Sequence, residues 1–438
     1  MATVLLIGSG AREHVIAEAF KKDKETKLYS YIKSKNPGIA SLSEDFEIGS
    51  YDDLKRIQNY AKKIKPDFVF IGPEDPLKNG VVDLLKELKI GAIGPSKSLA
   101  RLETSKSFTR NLLKKYKIGG NPRFGIFDKK NVSGAKRFVD GLGQCVIKPD
   151  GLTGGKGVKV QGEHFKTKNS ALEYCNEALN SHPAVIIEEK LEGEEFSLQC
   201  LTDGKTVIAM PPVQDHKRAF AGDIGPNTGG MGSYSCEDHL LPFLTKKDIE
   251  KGLKITQKAA EALHKETGEY YKGVMYAGLM LTKDGVKLLE YNARFGDPEA
   301  MNVLPLAETG FVEICNAIIS QQLHKAQIKF QNKATVCKYI VPEGYPDSPV
   351  KNEKIEITGI PENGRIYYAS VEQKGDGLYM TASRAIACLG IADNLENAEK
   401  IAEYAAKSIK GRVFHRSDIG TKGLIDKRIA HMKEICKN

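Results

Sequence analysis

Apolar positions along the chain fall into short runs separated by helical patterns. Runs at 3–7 (TVLLI), 28–32, 67–71 (DFVFI) and 90–93 read as strands, and between them one predicted helix places Leu54, Ile57, Ala61 and Ile64 on a single face. Strand-helix alternation of this kind makes a parallel sheet with crossover helices, so residues 1–102 are expected to form an open, Rossmann-like α/β domain. Its ligands belong at the carboxyl ends of the strands.

A helix then begins near 104, with Thr104 or Ser105 as candidate cap, and the loop GGNPRFG marks a boundary. Residues 124–188 read as a small α+β lid: a strand to Lys148, a glycine-rich loop, a strand through Val160, a helix near 168–180 and the strand AVIIEE. Residues 103–123 and 189–327 form the expected central domain, with strands FSLQCL and VKLLEYNARF and a helix at 246–265. A long irregular stretch there, QDHKRAFAGDIGPNTGGMGSYS, exceeds ordinary loop lengths, and long loops are often functional. Residues 328–438 open with VCKYIVPEGYP, carry a helix near 395–410 and read as a terminal α/β domain.

Composition narrows the class. At 438 residues, with 41% apolar and 28% charged, the chain is an ordinary globular protein of several domains rather than a disordered or fibrous one. No apolar stretch approaches a membrane span. The net charge of +9 comes from lysines dispersed through helical segments, which suits solvated faces and anionic small substrates and argues against a nucleic-acid surface. Eight cysteines lack CxxC or zinc spacing and read as reduced core thiols; the start lacks a basic n-region, and the expected compartment is the cytoplasm.

Candidate chemistry gathers in five segments. GSGARE (8–13) joins the first strand to the first helix, where backbone N–H groups form an anion site. The dinucleotide pattern requires glycine at position 13, which is Glu13, and an acid after the second strand, where Lys33, Ser34 and Lys35 stand. With Arg12, these suit a phosphate monoester, the alternative being a glycine turn made for packing. In VIKPDGLTGGKGVKV (146–160), Gly151, Gly154, Gly155 and Gly157 with Lys148 and Lys156 read as a nucleotide-phosphate clamp; its spacing is not that of a Walker loop. Lys148 shares the period of Val146, so its ammonium needs a compensating anion. IIEEKLEGEEFS places Glu188, Leu191 and Glu195 either to read a purine and ribose or as a solvated acidic turn. Alternation in VKLLEYNARFGDPE puts Leu288, Glu290, Asn292 and Arg294 on one strand face, which reads as a magnesium pair beside a carboxylate-binding arginine, or as a Glu290–Arg294 salt bridge. Asp215, His216, Lys217 and Arg218 open the long loop, whose GPNTGGMGS carries the glycines of a closing segment.

In this order the motifs resemble the ATP-grasp superfamily, and within it the phosphoribosylamine-glycine ligase family: GSGAREH, GPEDPL, LETSKSFTRNLL, the glycine loop, EEKLEGEEFS, QDHKR, GPNTGGMGSYS, EYNARFGDPE and RSDIG. The resemblance implies an ATP-grasp fold and a ligase joining glycine to 5-phosphoribosylamine, with ADP and phosphate released, through a glycyl phosphate. It implies that Lys106, Lys148 and the glycine loop hold ATP phosphates, that Glu188, Glu189 and Leu191 hold adenine, and that Glu195 holds ribose. Glu290 and Asn292 would bind Mg2+ or Mn2+. Glycine would lie by Asp215 and Arg294 with Asp297 supporting, and phosphoribosylamine by Gly10, Arg12 and Glu74 under the loop Asn227, Thr228, Gly229 and Gly230. His216 loses its candidacy as a base, because an acyl phosphate needs none. A monomer or small homo-oligomer without nucleic acid or membrane partner is expected. The chain departs from the family at Gly278, where a second acid or amide often stands, and at Ala382-Ser383-Arg384 in place of Gly-Gly-Arg. Rivals are another ATP-grasp ligase or carboxylase and a non-catalytic nucleotide-binding regulator; the latter would be expected to lose Lys148, Glu290 or Asn292.

Overall fold

The computed structural model describes residues 2–154, 157–375 and 377–437. Its amino-terminal sheet is parallel, with strands in the order Asp45–Ile48, Lys27–Ile32, Thr3–Ile7, Phe68–Ile71, Gly91–Ile93. Val4–Ile7 and Phe68–Ile71 are buried on both faces, which is why they read as unbroken apolar runs. The edge strand Asp45–Ile48 was not among those expected, since DFEI is short and half-exposed. The expected helix runs Leu54–Ile64: Ile57 and Ala61 are buried, and Leu54 and Ile64 pack partly against the core. Strand order reverses between Thr3–Ile7 and Phe68–Ile71, so a crevice opens at their carboxyl ends, where Gly8–Glu13 and Gly72–Glu74 lie.

A small antiparallel sheet follows, ordered Phe124–Phe127, Val185–Glu189, Cys145–Pro149, Lys159–Val160. With the helices Ala135–Asp140 and Lys168–Ala178 it encloses its own core of Val139, Ile147, Cys175 and Ile187, separate from the main one. The larger antiparallel sheet joins Val207–Ala209, Glu194–Thr202, Gly273–Thr282 and Gly285–Asn292, backed by the helix Lys246–Thr267. In the carboxyl-terminal part, Ala334–Pro342, Ile386–Ala392 and Gly364–Tyr368 pair antiparallel under the helix Leu395–Lys407.

The stretch expected to be irregular is short paired structure instead. Gln214–Asp215 and Gly232–Ser235 extend the carboxyl-terminal sheet, and Arg218–Phe220 forms a hairpin with Ile224–Asn227. Strands of two to four residues among glycines carry too little periodicity to be seen in sequence. Among the described residues all cysteines are free; seven are buried and Cys436 is exposed. No described helix is long and apolar enough to cross a membrane.

Candidate functional site

At the crevice, the Glu13 side chain lies against Gly8 and Gly72, filling the space a Cβ at either would need, and accepts from the Gly10 N–H at 2.6 Å and from Arg12 Nε at 2.6 Å. The turn that was expected to offer its N–H groups to phosphate therefore already spends one on an internal carboxylate. Arg12 points inward, donating to the Phe295 carbonyl at 3.2 Å, with Glu74 3.9 Å away. Lys33 and Lys35 do not converge on it: Lys33 pairs with Asp75 at 3.2 Å, and Lys35 lies over the Phe46 ring.

Arg294 is held between two acids, Glu74 at 3.3 Å and Glu103 at 3.1 Å, rather than pairing with Glu290. Burial alone would raise the Glu74 carboxyl, but Arg294 and Arg12 outweigh it and hold the group at about 2. Glu103 goes the other way, because its burial outweighs its cation. Nearby, burial and then Glu299 push Asp215 well above the ordinary carboxylate range, and burial raises Glu299 itself, whose Oε1 accepts from the Tyr276 hydroxyl at 2.8 Å. Asp297 accepts from Tyr339 at 2.6 Å and pairs with Arg384 at 3.0 Å. Gly230, at φ +108°, leaves room for Asp215 and Pro298; a Cβ there would stand 2.7 Å from each.

Across the cleft, the anion that Lys148 requires is Glu188, at 2.9 Å. Arg110 grips the same carboxylate with Nε at 2.6 Å and Nη2 at 2.9 Å. Both Glu188 oxygens are thus engaged by cations, so the carboxylate that was expected to help read a purine is already paired within the protein. Burial raises the Glu188 carboxyl, and Arg110 and Lys148 reverse that, leaving it below the ordinary range. Arg110 also donates to Asn121 Oδ1 and to the carbonyls of Leu288 and Leu289, and Lys148 donates to Leu289 at 3.0 Å.

Those carbonyls belong to an irregularity that corrects the expected strand face. Gly278 faces Glu290 and Leu279 faces Leu288, so Leu289 is an extra residue in the ladder. Val286, Leu288 and Tyr291 turn to the core, while Glu290 and Asn292 come out on the other side; Leu288 does not share their face. Among the described residues no hydrogen bond or ion pair occupies the Glu290 or Asn292 side chain, and no three His, Cys, Asp or Glu groups form a ready cation cage. A hard-oxygen pair of this kind fits Mg2+ completed by phosphate oxygens and water. Gly278 opposite Glu290 adds no ligand.

The glycine loop begins anchored. Asp150 accepts from the Ser107 N–H at 3.2 Å at the head of the helix Lys106–Lys115, and Lys106 Nζ donates to the Gly151 carbonyl at 2.7 Å. Gly154 and Gly157 follow on the loop, while Gly155 and Lys156 lie outside the described residues. Glu189 accepts from the Arg123 N–H, and Leu191 lies on the connection into the strand Glu194–Thr202. Glu195 pairs with Lys217 at 2.9 Å; Glu195 first, and then Glu290 and Asp215 against the opposing effect of burial, raise the Lys217 ammonium. Lys217 thus stands between the two sides. Thr228 folds back on the Lys217 carbonyl through N–H and hydroxyl, at 2.7 and 2.9 Å. His216 is buried with neither ring nitrogen partnered among the described residues; burial, Arg416 and Arg428 lower it to about 3.

Three family models cover most of this architecture: the phosphoribosylglycinamide synthetase N domain over 2–103, its ATP-grasp (A) domain over 104–300 and its C domain over 335–422. The chain belongs to the phosphoribosylglycinamide synthetase family. It is 51% identical to the phosphoribosylamine–glycine ligase of Methanocaldococcus jannaschii over 99% of both chains, and 47% identical to that of Pyrococcus furiosus over 99% of this chain and 98% of the relative. The crystal structure of the Thermotoga maritima phosphoribosylamine–glycine ligase superposes with a TM-score of 0.79 at 29% identity, over 95% of this chain and 100% of that one. The biotin carboxylase domain of Hydrogenobacter thermophilus 2-oxoglutarate carboxylase, at 17% identity and TM-score 0.75 over 99% and 97%, shares the ATP-grasp fold.

With membership of the phosphoribosylglycinamide synthetase family goes the activity, ATP-dependent ligation of glycine to phosphoribosylamine in purine biosynthesis. Several residues that build this site escaped selection from sequence: Glu103, Arg110, Tyr276, Glu299 and Arg384. Lys106 and Arg110 are four apart on one helix and share a face, so that signal was present. Arg384 was noted only as the end of the Ala382-Ser383-Arg384 departure, and only the fold brings it to Asp297.

Proposed function

We propose that the cleft divides the reaction between a cation-rich nucleotide side and an acid-rich amino-acid side. The observation that carries this reading is the opposite arrangement of the Lys148–Glu188–Arg110 and Glu74–Arg294–Glu103 groups. Lys106, Lys148 and the glycine loop, Gly151 to Gly157, receive ATP phosphates, and the small unit at 124–188 acts as a lid. Glu188 holds Lys148 in place, which leaves adenine to the backbone around Glu189 and Leu191, and ribose to Glu195. Glu290 and Asn292 would hold Mg2+, or Mn2+ with the same oxygen preference, and the bound ion would supply charge neutralisation for the transferred phosphoryl group.

On the other side, Asp215 and the buried Glu299 repel one another, and the ammonium of glycine relieves that repulsion. Arg294 directs the glycine carboxylate, with Asp297 in support. A carboxylate oxygen attacks the γ-phosphorus, ADP leaves, and glycyl phosphate forms. Phosphoribosylamine, placed by Gly10, Arg12 and Glu74 under Asn227–Gly230, attacks the acyl carbon and expels phosphate. Positioning supplies most of the acceleration, because the acyl phosphate is already activated.

Labelling tests this route. With glycine carrying ¹⁸O in its carboxylate, one label should appear in the released phosphate for each product formed. Unlabelled phosphate would rule out the acyl phosphate, and ADP release driven by bicarbonate or formate instead of glycine would overturn the substrate assignment.

A further inference from the structure

Arg384 reaches into the site from the segment just before the strand Ile386–Ala392, and its backbone is pinned on both sides. The Arg384 carbonyl accepts from the Ser370 N–H at 2.9 Å, and the Ala385 N–H donates to the Ile340 carbonyl at 2.8 Å. From there Nη1 donates to the carbonyls of Gly229 at 2.7 Å, Gly230 at 3.0 Å and Asp297 at 3.1 Å, while Nη2 pairs with Asp297 Oδ2 at 3.0 Å. The guanidinium lies 4.3 Å from the centre of the Tyr339 ring, whose hydroxyl donates to the other Asp297 oxygen.

Three carbonyls and a carboxylate on two separate segments thus converge on one planar cation. A lysine, as a single point charge, cannot reproduce that fork. We infer that Arg384 is a positioning residue that ties the Gly229–Gly230 loop to Asp297 and so keeps water from the acyl phosphate until the amine arrives. The inference rests on the glycyl phosphate route above. Without the clasp, a water oxygen attacks the acyl carbon, the bond from that carbon to the phosphate oxygen breaks, and glycine and inorganic phosphate are released with protons lost to solvent. ATP is then consumed without product.

The test is the number of ADP molecules formed per glycinamide ribonucleotide, measured for the wild-type protein, Arg384→Ala and Arg384→Lys with ATP, Mg2+, glycine and phosphoribosylamine. Wild type should give a ratio near one. Arg384→Ala should raise it about tenfold, the loss expected for charge-assisted hydrogen bonds, with KM for ATP little changed, and Arg384→Lys should fall between. If Arg384→Ala does not fold, Arg384→Lys alone still decides, since its ratio must exceed one. A ratio that stays at one in both variants while turnover falls would overturn the inference. Failure of the underlying route looks different: the wild-type protein itself would transfer no ¹⁸O from glycine to phosphate.

Discussion

On the nucleotide side one acid, Glu188, is shared by two cations, Arg110 and Lys148; on the amino-acid side one cation, Arg294, is shared by two acids, Glu74 and Glu103. Of these six groups all but Glu74 are largely withdrawn from water, where an unpaired charge is costly, so each side is neutralised internally as far as its own residues allow. What remains differs in sign. Around Glu188 the surplus is positive and fits phosphates, whereas around Arg294 the further acids Asp215 and Glu299 fit an ammonium group. Lys217, between Glu195, Glu290 and Asp215, lies on the line that separates them. On the proposed reading, the contrast lets one cleft hold a polyanion and a zwitterion without exchanging their places.

The hardest blow to the contrast is Lys148→Ala. It removes one preorganised donor from the phosphates and should lower kcat/KM for ATP by roughly 100- to 1000-fold while the KM for glycine barely moves, read from ADP release against each substrate in turn. Arg110→Lys is milder. The lysine keeps the charge but loses the fork that grips Glu188 and the bulge carbonyls, and KM for ATP should rise about tenfold. A comparable rise in KM for glycine would mean that the two sides are not separate.

One source of acid sensitivity should be His216, buried directly after Asp215. Burial and two arginines lower this histidine to about 3 from an ordinary 6.5. Below pH 6.5 the unfolded chain takes up a proton that the folded one refuses, so stability falls as pH drops from 6.5 toward 3, by about 1.4 kcal/mol per pH unit once the difference is a whole proton. His14, lowered to about 4 by burial, adds to the same slope. His216→Phe fills a similar space without unpartnered nitrogens, and should flatten the decline by one proton's worth in denaturant titrations between pH 6.5 and 4.5. An unchanged slope would remove His216 from the account.

Local signals carried most of the fold into view, and distant pairings were hidden. Apolar runs disclosed Thr3–Ile7 and Phe68–Ile71 because a parallel sheet buries both faces. The Ser105 cap was legible because capping chemistry is local: its hydroxyl accepts from the Phe108 N–H at 3.2 Å. The bulge at Leu289 was not, since alternation assumes an unbroken ladder, and one extra residue moved Leu288 to the core. Glu188 was placed at the purine because its motif is acidic and follows a strand; only the fold brings Arg110 to it from 78 positions away.

Arg294→Lys tests the division most directly. Binding of a non-hydrolysable ATP analogue with Mg2+ is measured by calorimetry alongside the KM for glycine. The account predicts an unchanged dissociation constant for the nucleotide and a KM for glycine raised about tenfold or more. Equal weakening of both would contradict it.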